Sequence, residues 1–328
     1  MTPENAWQPT CSLESLQARA RLLQAIRSFF SERDVLEVET PLLGHCSGTD
    51  PQLEFFTSEY YLTPSRKTLF LQTSPEFAMK RLLAAGSGSI FQICKAFRNG
   101  ESGRFHNPEF TMLEWYRVGF SLTHLMDEID ELINELAQGQ LNLNPPQRFS
   151  YQDIFEHYTG LNPLAFEEEQ YCRYAYSQNL SDAVAICGNN HALWLDLLFS
   201  YQVQPHLGKQ RLAMVYGYPA IQSSLAKINP ANPKITDRVE IFINGIELGN
   251  GYYELSNAFE QEKRFDREII VRQSNSQPAA VKDTHLLAAL NSGLPECSGM
   301  AIGLDRLLML LSGYSHIDAV LAFPISRA

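Results

Sequence analysis

Residues 237–248, DRVEIFINGIEL, restrict the fold more than any other segment. Alternating apolar residues flank Asn244-Gly245, and an Asn-Gly pair between such runs is the strongest short-range signal for a two-residue hairpin turn. That turn permits one register, with Ile243 opposite Ile246 and Phe242 opposite Glu247. Glu240 then shares a face with Phe242 and lies diagonal to Glu247, within about 7–8 Å. Two carboxylates ~6 Å apart at an effective dielectric of ~20 repel by roughly 3 kcal/mol. The pair therefore calls for a cation, a raised pKa or full solvation, and for hard oxygen ligands Mg²⁺ is the natural cation.

A second constraint comes from residues 97–116, FRNGESGRFHNPEFTMLEWY. Residues 89–98 and 109–120 read as two strands joined by a polar loop. Arg98 at the strand end, with Arg104 and His106 in the loop, can donate to phosphate oxygens, arginine in bidentate fashion. Phe110 ends the loop, where a flat ring can stack on a base for about 1–3 kcal/mol. Alternation in the second strand puts Phe110, Met112, Glu114 and Tyr116 on one face and Thr111, Leu113 and Trp115 on the other. A carboxylate and a phenol among apolar neighbours mark either a solvated edge strand or a built polar site.

Two shorter signals accompany these. In ELGNGYYELSN, residues 247–257, Asn250, Tyr252 and Glu254 recur every second residue, and an aromatic ring between an amide and a carboxylate can hold an ammonium group. In GMAIGLDR, residues 299–306, Gly299 and Gly303 allow a ligand close to the backbone. Arg306 follows at a helix N-terminus, which favours anions.

The remaining chain reads as one mixed α/β domain without repeats. Helical spacing covers residues 13–30, and Ser74 as N-cap with Pro75 at the first helical position opens a helix over 72–84. Helices follow near 122–138 and 190–203, with no organisation evident over 144–185. No apolar run approaches the ~20 residues of a membrane span, and the N-terminus has no signal-peptide pattern. The six cysteines form no C-x-x-C pair, which favours reduced thiols and a cytoplasmic setting. A net charge of -11 opposes non-specific nucleic-acid binding.

LEVETPLL, FRN…RFHNPEFTMLEWY and GMAIGLDRLLML resemble the three signature motifs of a class II aminoacyl-tRNA synthetase. FINGIELGNGYYELSNA is similar in particular to the lysyl branch, and the resemblance runs from about residue 15 to the end. It implies an α+β catalytic core, an antiparallel sheet flanked by helices, spanning residues 1–328 with a tail at 1–12 and a mainly helical insertion at 121–210. The lysyl enzymes carry an N-terminal anticodon-binding domain, for which the tail is too short. The chain thus looks like a truncated paralogue that forms an adenylate of (R)-β-lysine from ATP and passes it to a lysine ε-amine of elongation factor P, with no tRNA and no membrane involved. A homodimer formed around Pro41 is implied as well.

By position, the resemblance puts Arg98, His106 and Asn107 at the ATP phosphates, Asn99 and Gly100 elsewhere in the ATP site, and Phe110 and Arg306 on either side of adenine. Backbone near Glu247, Leu248 and Gly303 approaches the nucleotide, and Glu240 and Glu247 match Mg²⁺ ligands. Ser74, Pro75, Glu76, Glu114, Tyr116, Asn250, Tyr252, Glu254 and Ala301 match the amino-acid pocket, with Arg98 and Arg306 as the charge-stabilising catalytic residues. Two positions depart from the lysyl pattern. Gly100 stands where the motif has a glutamate that contacts adenine, with Glu101 next to it. Ala301 replaces a glycine, and its methyl is expected to disfavour α-lysine against the displaced amine of β-lysine. A lysyl-type core acting on tRNA and a non-catalytic regulatory paralogue are the competing readings.

Overall fold

A computed structural model, which describes residues 7–328, turns the apolar spacing of the first segment into helix α1 (Leu13–Ser31). Ser12 caps it, accepting from the Ser15 amide at 3.1 Å. There follow β1 (Leu36–Glu37), β2 (Leu43–Gly44), β3 (Thr57–Leu62), β4 (Ser65–Leu71), α2 (Glu76–Ala84), β5 (Ile90–Phe97), β6 (Glu109–Val118) and α3 (Leu122–Ala137). Next are β7 (Asn144–Ser150), α4 (Tyr151–Thr159), α5 (Glu168–Ser177), α6 (Ser181–Cys187), α7 (His191–Leu198) and β8 (Arg211–Pro219). The chain closes with β9 (Ile235–Ile243), β10 (Ile246–Tyr253), α8 (Ala258–Ser274), α9 (Thr284–Gly293), β11 (Cys297–Gly303) and α10 (Leu304–Leu311). Residues 1–6, on which part of the expected N-terminal tail falls, lie outside the described residues.

These elements form two compact units. The first holds the residues up to Phe120, Glu135–Leu141 and Ser256–Ala328, and the second Ser121–Asn134 and Asn142–Leu255.

In the first unit β6 lies between β5 and β11, antiparallel to both, and the short β1 adds to β5 in parallel. The alternation read from the sequence holds. Phe30 of α1 packs against Phe91 at 4.7 Å and Trp115 at 5.4 Å between ring centroids. Glu114 points the other way, to Ser74. Both faces of β6 are covered from Thr111 to Tyr116, so Glu114 is not on a solvated edge. The helix expected over 72–84 starts later than its capping pattern suggests. Pro75 is the N-cap and Glu76 the first helical residue, while Ser74 still accepts from the Glu76 amide at 3.1 Å.

In the second unit β9 pairs with β8 and β10, both antiparallel, and β7 joins β8 in parallel. Their inner face carries Ala213, Val215, Tyr218 and Phe242 into a core with Tyr151, Phe155, Trp194, Leu198 and Phe199. The stretch 144–185, without evident organisation in the sequence, contains β7 and three short helices. Aromatic residues supply much of their buried surface, so no long aliphatic period advertises them. The helix expected over 190–203 is α7 continued by a π-helical turn at Phe199–Val203.

The hairpin register is the expected one, Ile246 opposite Ile243 and Glu247 opposite Phe242. Asn244 (φ 51°) and Gly245 (φ 73°) both have the left-handed conformation of a type I′ turn. A bulge at Leu248, which the sequence did not announce, then brings Asn250 opposite Glu240. The turn is braced from outside, since the Asn244 amide donates to the Gly208 carbonyl at 2.8 Å. Gly208 has φ +66°, and a Cβ there would lie 2.5 Å from the Phe242 carbonyl oxygen. Gly208→Ala should therefore destabilise the protein by about 2–4 kcal/mol through strain and overpacking. Denaturant titration is the check, and a loss below about 0.5 kcal/mol would contradict this account.

Among the described residues no helix is long and apolar enough to cross a membrane. All six cysteines are free.

Candidate active site

The first unit brings together the phosphate-type and carboxylate residues of the second motif. Arg98 follows β5 directly; its guanidinium carbon lies 5.0 Å from the Phe110 ring centroid, and a terminal nitrogen is 3.7 Å from Glu101. Its Nε is buried and finds no hydrogen-bond partner among the described residues. A buried donor without an acceptor is costly, and an anionic ligand would supply one. Gly100 has φ +80°, a conformation that favours glycine over the glutamate of the lysyl pattern. Asn99 donates its backbone amide to the Glu54 carbonyl at 2.8 Å.

Arg306 sits in the first turn of α10, donating to the Phe105 carbonyl at 3.1 Å and lying 2.5 Å from His106 Nε2. The loop and the third motif are thus tied together through residues 105, 106 and 306. Arg104 is turned elsewhere, donating from Nε to the Ser315 carbonyl at 2.8 Å. The Asn107 side chain donates to the Glu109 carbonyl at 2.6 Å and accepts from the Ile325 amide at 2.9 Å, anchoring the C-terminal segment to the loop. Gly303 is the last residue of β11, opposite Met112.

On the far face of β6, Glu114 is 2% exposed. One oxygen accepts from Ser74 at 2.8 Å and the other from Tyr116 at 2.6 Å. Ala301 pairs directly with Glu114 across β11, so its methyl stands beside that carboxylate. Pro75 leads into Glu76, which holds Lys80 at 2.5 Å, and the Lys80 side chain is 1% exposed. Lys80 escaped the sequence reading, although a lysine four residues after a glutamate on a helix is a recognised pairing.

Nearby on α8, Glu268 accepts from Thr49. Burial, with the charges of Asp50 and Glu76, pushes its carboxyl up from 4.5 to about 7, against the Thr49 bond and Arg264. The folded protein thus keeps a proton between about pH 4.5 and 7 that the unfolded chain releases. This contribution to stability is complete below pH 4.5 and disappears as pH rises through 7. Glu268→Gln, which cannot ionise, should gain on the wild type by about 2–3 kcal/mol between pH 4.5 and pH 8. Denaturant midpoints at the two pH values check this, and a pH-independent difference would contradict it.

The second unit gathers the hairpin residues. Glu240, its side chain 13% exposed, accepts from Tyr218 at 2.7 Å and from Arg238. Burial, then the charge of Glu247, pushes Glu240 up to about 7, against Arg238 and the Tyr218 bond. Of the outcomes open to the acidic pair, a raised pKa and a cation thus both occur, and the cation is an arginine. Arg238 went unnoticed in the sequence, though it lies two residues before Glu240 and shares its face by the same alternation. Asn250 accepts from Arg238 Nε at 3.2 Å and donates to the Tyr252 hydroxyl at 3.0 Å. Leu248 and Glu254 are buried, 2% and 3% exposed. Among the described residues no three His, Cys, Asp or Glu side chains cluster as a ready metal site.

Anion donors beside an aromatic ring, with buried carboxylates suited to an amine, describe a protein that activates an amino acid with a nucleotide. Residues 9–327 match the family of class II tRNA synthetases (D, K and N), and the chain belongs to it. The chain is 49% identical over 324 residues to elongation factor P--(R)-beta-lysine ligase of Vibrio cholerae, covering 98% of both chains. The same-named proteins of Haemophilus ducreyi and Mannheimia succiniciproducens are 44% and 42% identical, covering 98% and 100% of this chain and 97% and 100% of theirs.

Proposed function

We infer that the protein is an ATP-dependent ligase that activates (R)-β-lysine and transfers it to a lysine ε-amine of elongation factor P. The structural observation that carries this reading is Glu114, a buried carboxylate on a central strand, oriented by Ser74 and Tyr116 and suited to an ammonium group. The same reading is supported by the near-complete coverage of the (R)-β-lysine ligases.

The reaction needs no protein nucleophile. The β-lysine carboxylate attacks the α-phosphorus, the bond to pyrophosphate breaks, and an acyl-adenylate forms. The neutral ε-amine of the acceptor lysine then attacks the carbonyl, AMP departs, and a proton is lost as the amide forms. Catalysis is positioning and charge stabilisation. In the first unit Arg98 and Arg306 balance charge at the phosphates, assisted by His106 and Asn107, Phe110 carries the adenine, and Asn99 and Gly100 belong to the same ATP site. Glu76 and Glu114, with Ser74, Pro75, Tyr116 and Ala301, receive the amino acid. In the second unit Asn250, Tyr252 and Glu254 offer groups suited to an amine, and the backbone at Glu247 and Leu248 offers groups suited to a nucleotide.

Glu240 and Glu247 are the residues that would hold Mg²⁺. Both Glu240 oxygens already accept, from Arg238 and Tyr218, so an ion there would bind beside that pair and take its other ligands from Glu247, phosphate and water. When bound, the ion would neutralise phosphate charge. We also assign a homodimer through the first motif, where Leu36, Leu42 and Leu43 around Pro41 are 56%, 40% and 46% exposed, and a cytoplasmic location.

The deciding experiment offers purified protein, Mg·ATP and labelled (R)-β-lysine both bulk tRNA and elongation factor P, with α-lysine in a parallel reaction. Label on the protein, strongest with β-lysine, is expected. Label on tRNA would assign the chain to the tRNA-charging enzymes instead.

A further inference from the structure

We propose that Arg238 is a positioning residue that locks the carboxylate Glu240 and the pocket amide Asn250 into one rigid assembly, an assignment that rests on the functional reading above. All three nitrogens of one guanidinium are engaged. Its Nε donates to Asn250 Oδ1 at 3.2 Å, one terminal nitrogen donates to the Gln222 carbonyl at 2.8 Å, and the other donates to Glu240. The guanidinium carbon stands 4.5 Å from the centroid of the Tyr218 ring, whose hydroxyl donates to the second Glu240 oxygen at 2.7 Å. The Arg238 side chain is 14% exposed.

The local backbone explains why one arginine reaches both groups. Arg238 and Glu240 alternate onto one face of β9, and the bulge at Leu248 places Asn250 opposite Glu240 and Tyr252 opposite Arg238. Without the extra residue, Asn250 would fall on the other face of β10. The bulge and the arginine therefore work as a pair. Asn250 in turn donates to the Tyr252 hydroxyl at 3.0 Å, so the orientation set by Arg238 passes to a second pocket residue. Because the Asn250 oxygen is held by a donor, the amide cannot flip, and its nitrogen faces Tyr252.

A planar fork with fixed donors does this where an ammonium cannot. Lysine at position 238 can still neutralise Glu240 but cannot reproduce the Nε–H aimed at Asn250. The substitution thus separates the two functions of the side chain, and the readout is β-lysine-dependent exchange of pyrophosphate into ATP. R238K should raise KM for (R)-β-lysine about tenfold while KM for ATP stays within about twofold. R238M should raise both. In an N250A background R238K should add less than about twofold to the β-lysine KM, because the two changes remove one interaction. A merely structural arginine would instead lower the amount of active enzyme, leaving both KM values unchanged and the double mutant multiplicative.

An unchanged β-lysine KM in R238K, or full multiplicativity with N250A, overturns the proposal. Should R238M fail to fold, R238K and the cycle with N250A still decide. A wild-type enzyme that exchanges pyrophosphate with other amino acids and not with β-lysine would overturn the functional reading, and this proposal with it. That failure is visible before any variant is compared.

Discussion

Arg98→Ala should reduce kcat/KM for β-lysine-dependent pyrophosphate exchange by about 10²–10³-fold or more, with thermal stability nearly unchanged. Both halves follow from the surroundings of one side chain. Removing a donor aimed at developing charge in a preorganised site costs about 10²–10³-fold in rate, and the buried, unpartnered Nε is the donor held ready here. The ion pair that Arg98 makes with Glu101 is long, at 3.7 Å, with side chains 24% and 27% exposed, and such pairs contribute little to stability. Arg98→Lys should recover only part of the loss, because a point charge does not replace a bidentate fork. Steady-state exchange kinetics with a melting curve on the same preparation provide the check. An Arg98→Ala enzyme within tenfold of the wild type would remove Arg98 from the phosphate site.

Asp305→Ala should have the opposite signature, a large loss of stability from a residue that touches no reacting atom. Asp305 is fully buried; one oxygen accepts from Arg19 at 2.5 Å and the other from the Thr111 amide at 2.6 Å. Arg19 also donates to the Val320 carbonyl at 2.9 Å, so one carboxylate joins α1, β6, α10 and the C-terminal segment. Removing one partner of a buried pair leaves the other charge uncompensated, at a cost of about 3–5 kcal/mol. The orphaned Thr111 amide adds to this. At roughly 2–4 °C per kcal/mol, the value for chains of about 150–250 residues, the midpoint should fall by about 6–20 °C. Asp305→Asn, which keeps an acceptor for Thr111 and loses the charge, should fall in between. A shift below about 2 °C for the alanine variant would mean that Arg19 finds another partner. Because Arg306 is the next residue, loosening the first turn of α10 should lower activity in the folded fraction too.

The two variants mark the boundary between what could be read and what could not. Arg98 and Arg306 stand out as candidates in the sequence because phosphate recognition uses few residue types in a stereotyped loop. Asp305 sits in the same motif, but its partners are 286 and 194 residues away, and no local pattern announces them. The hairpin shows the same division within one element. Its turn, its register and the Glu240–Glu247 repulsion followed from Asn244-Gly245 and a period of two. The bulge at Leu248 did not, because an extra residue is favoured by the packing around it and carries no required residue type.

By itself, then, the sequence determined the class of fold, the two strand pairs that carry the candidate site residues, and the kinds of groups they present, since these depend on local backbone preferences and side-chain chemistry. Tertiary structure alone decided who partners whom. It placed Arg238 beside Glu240, Lys80 on Glu76, Arg19 on Asp305, and Ser74 and Tyr116 on the two oxygens of Glu114. Removing a charge from water is favourable only when a partner waits at the right distance, and that distance exists only once the chain has closed around it.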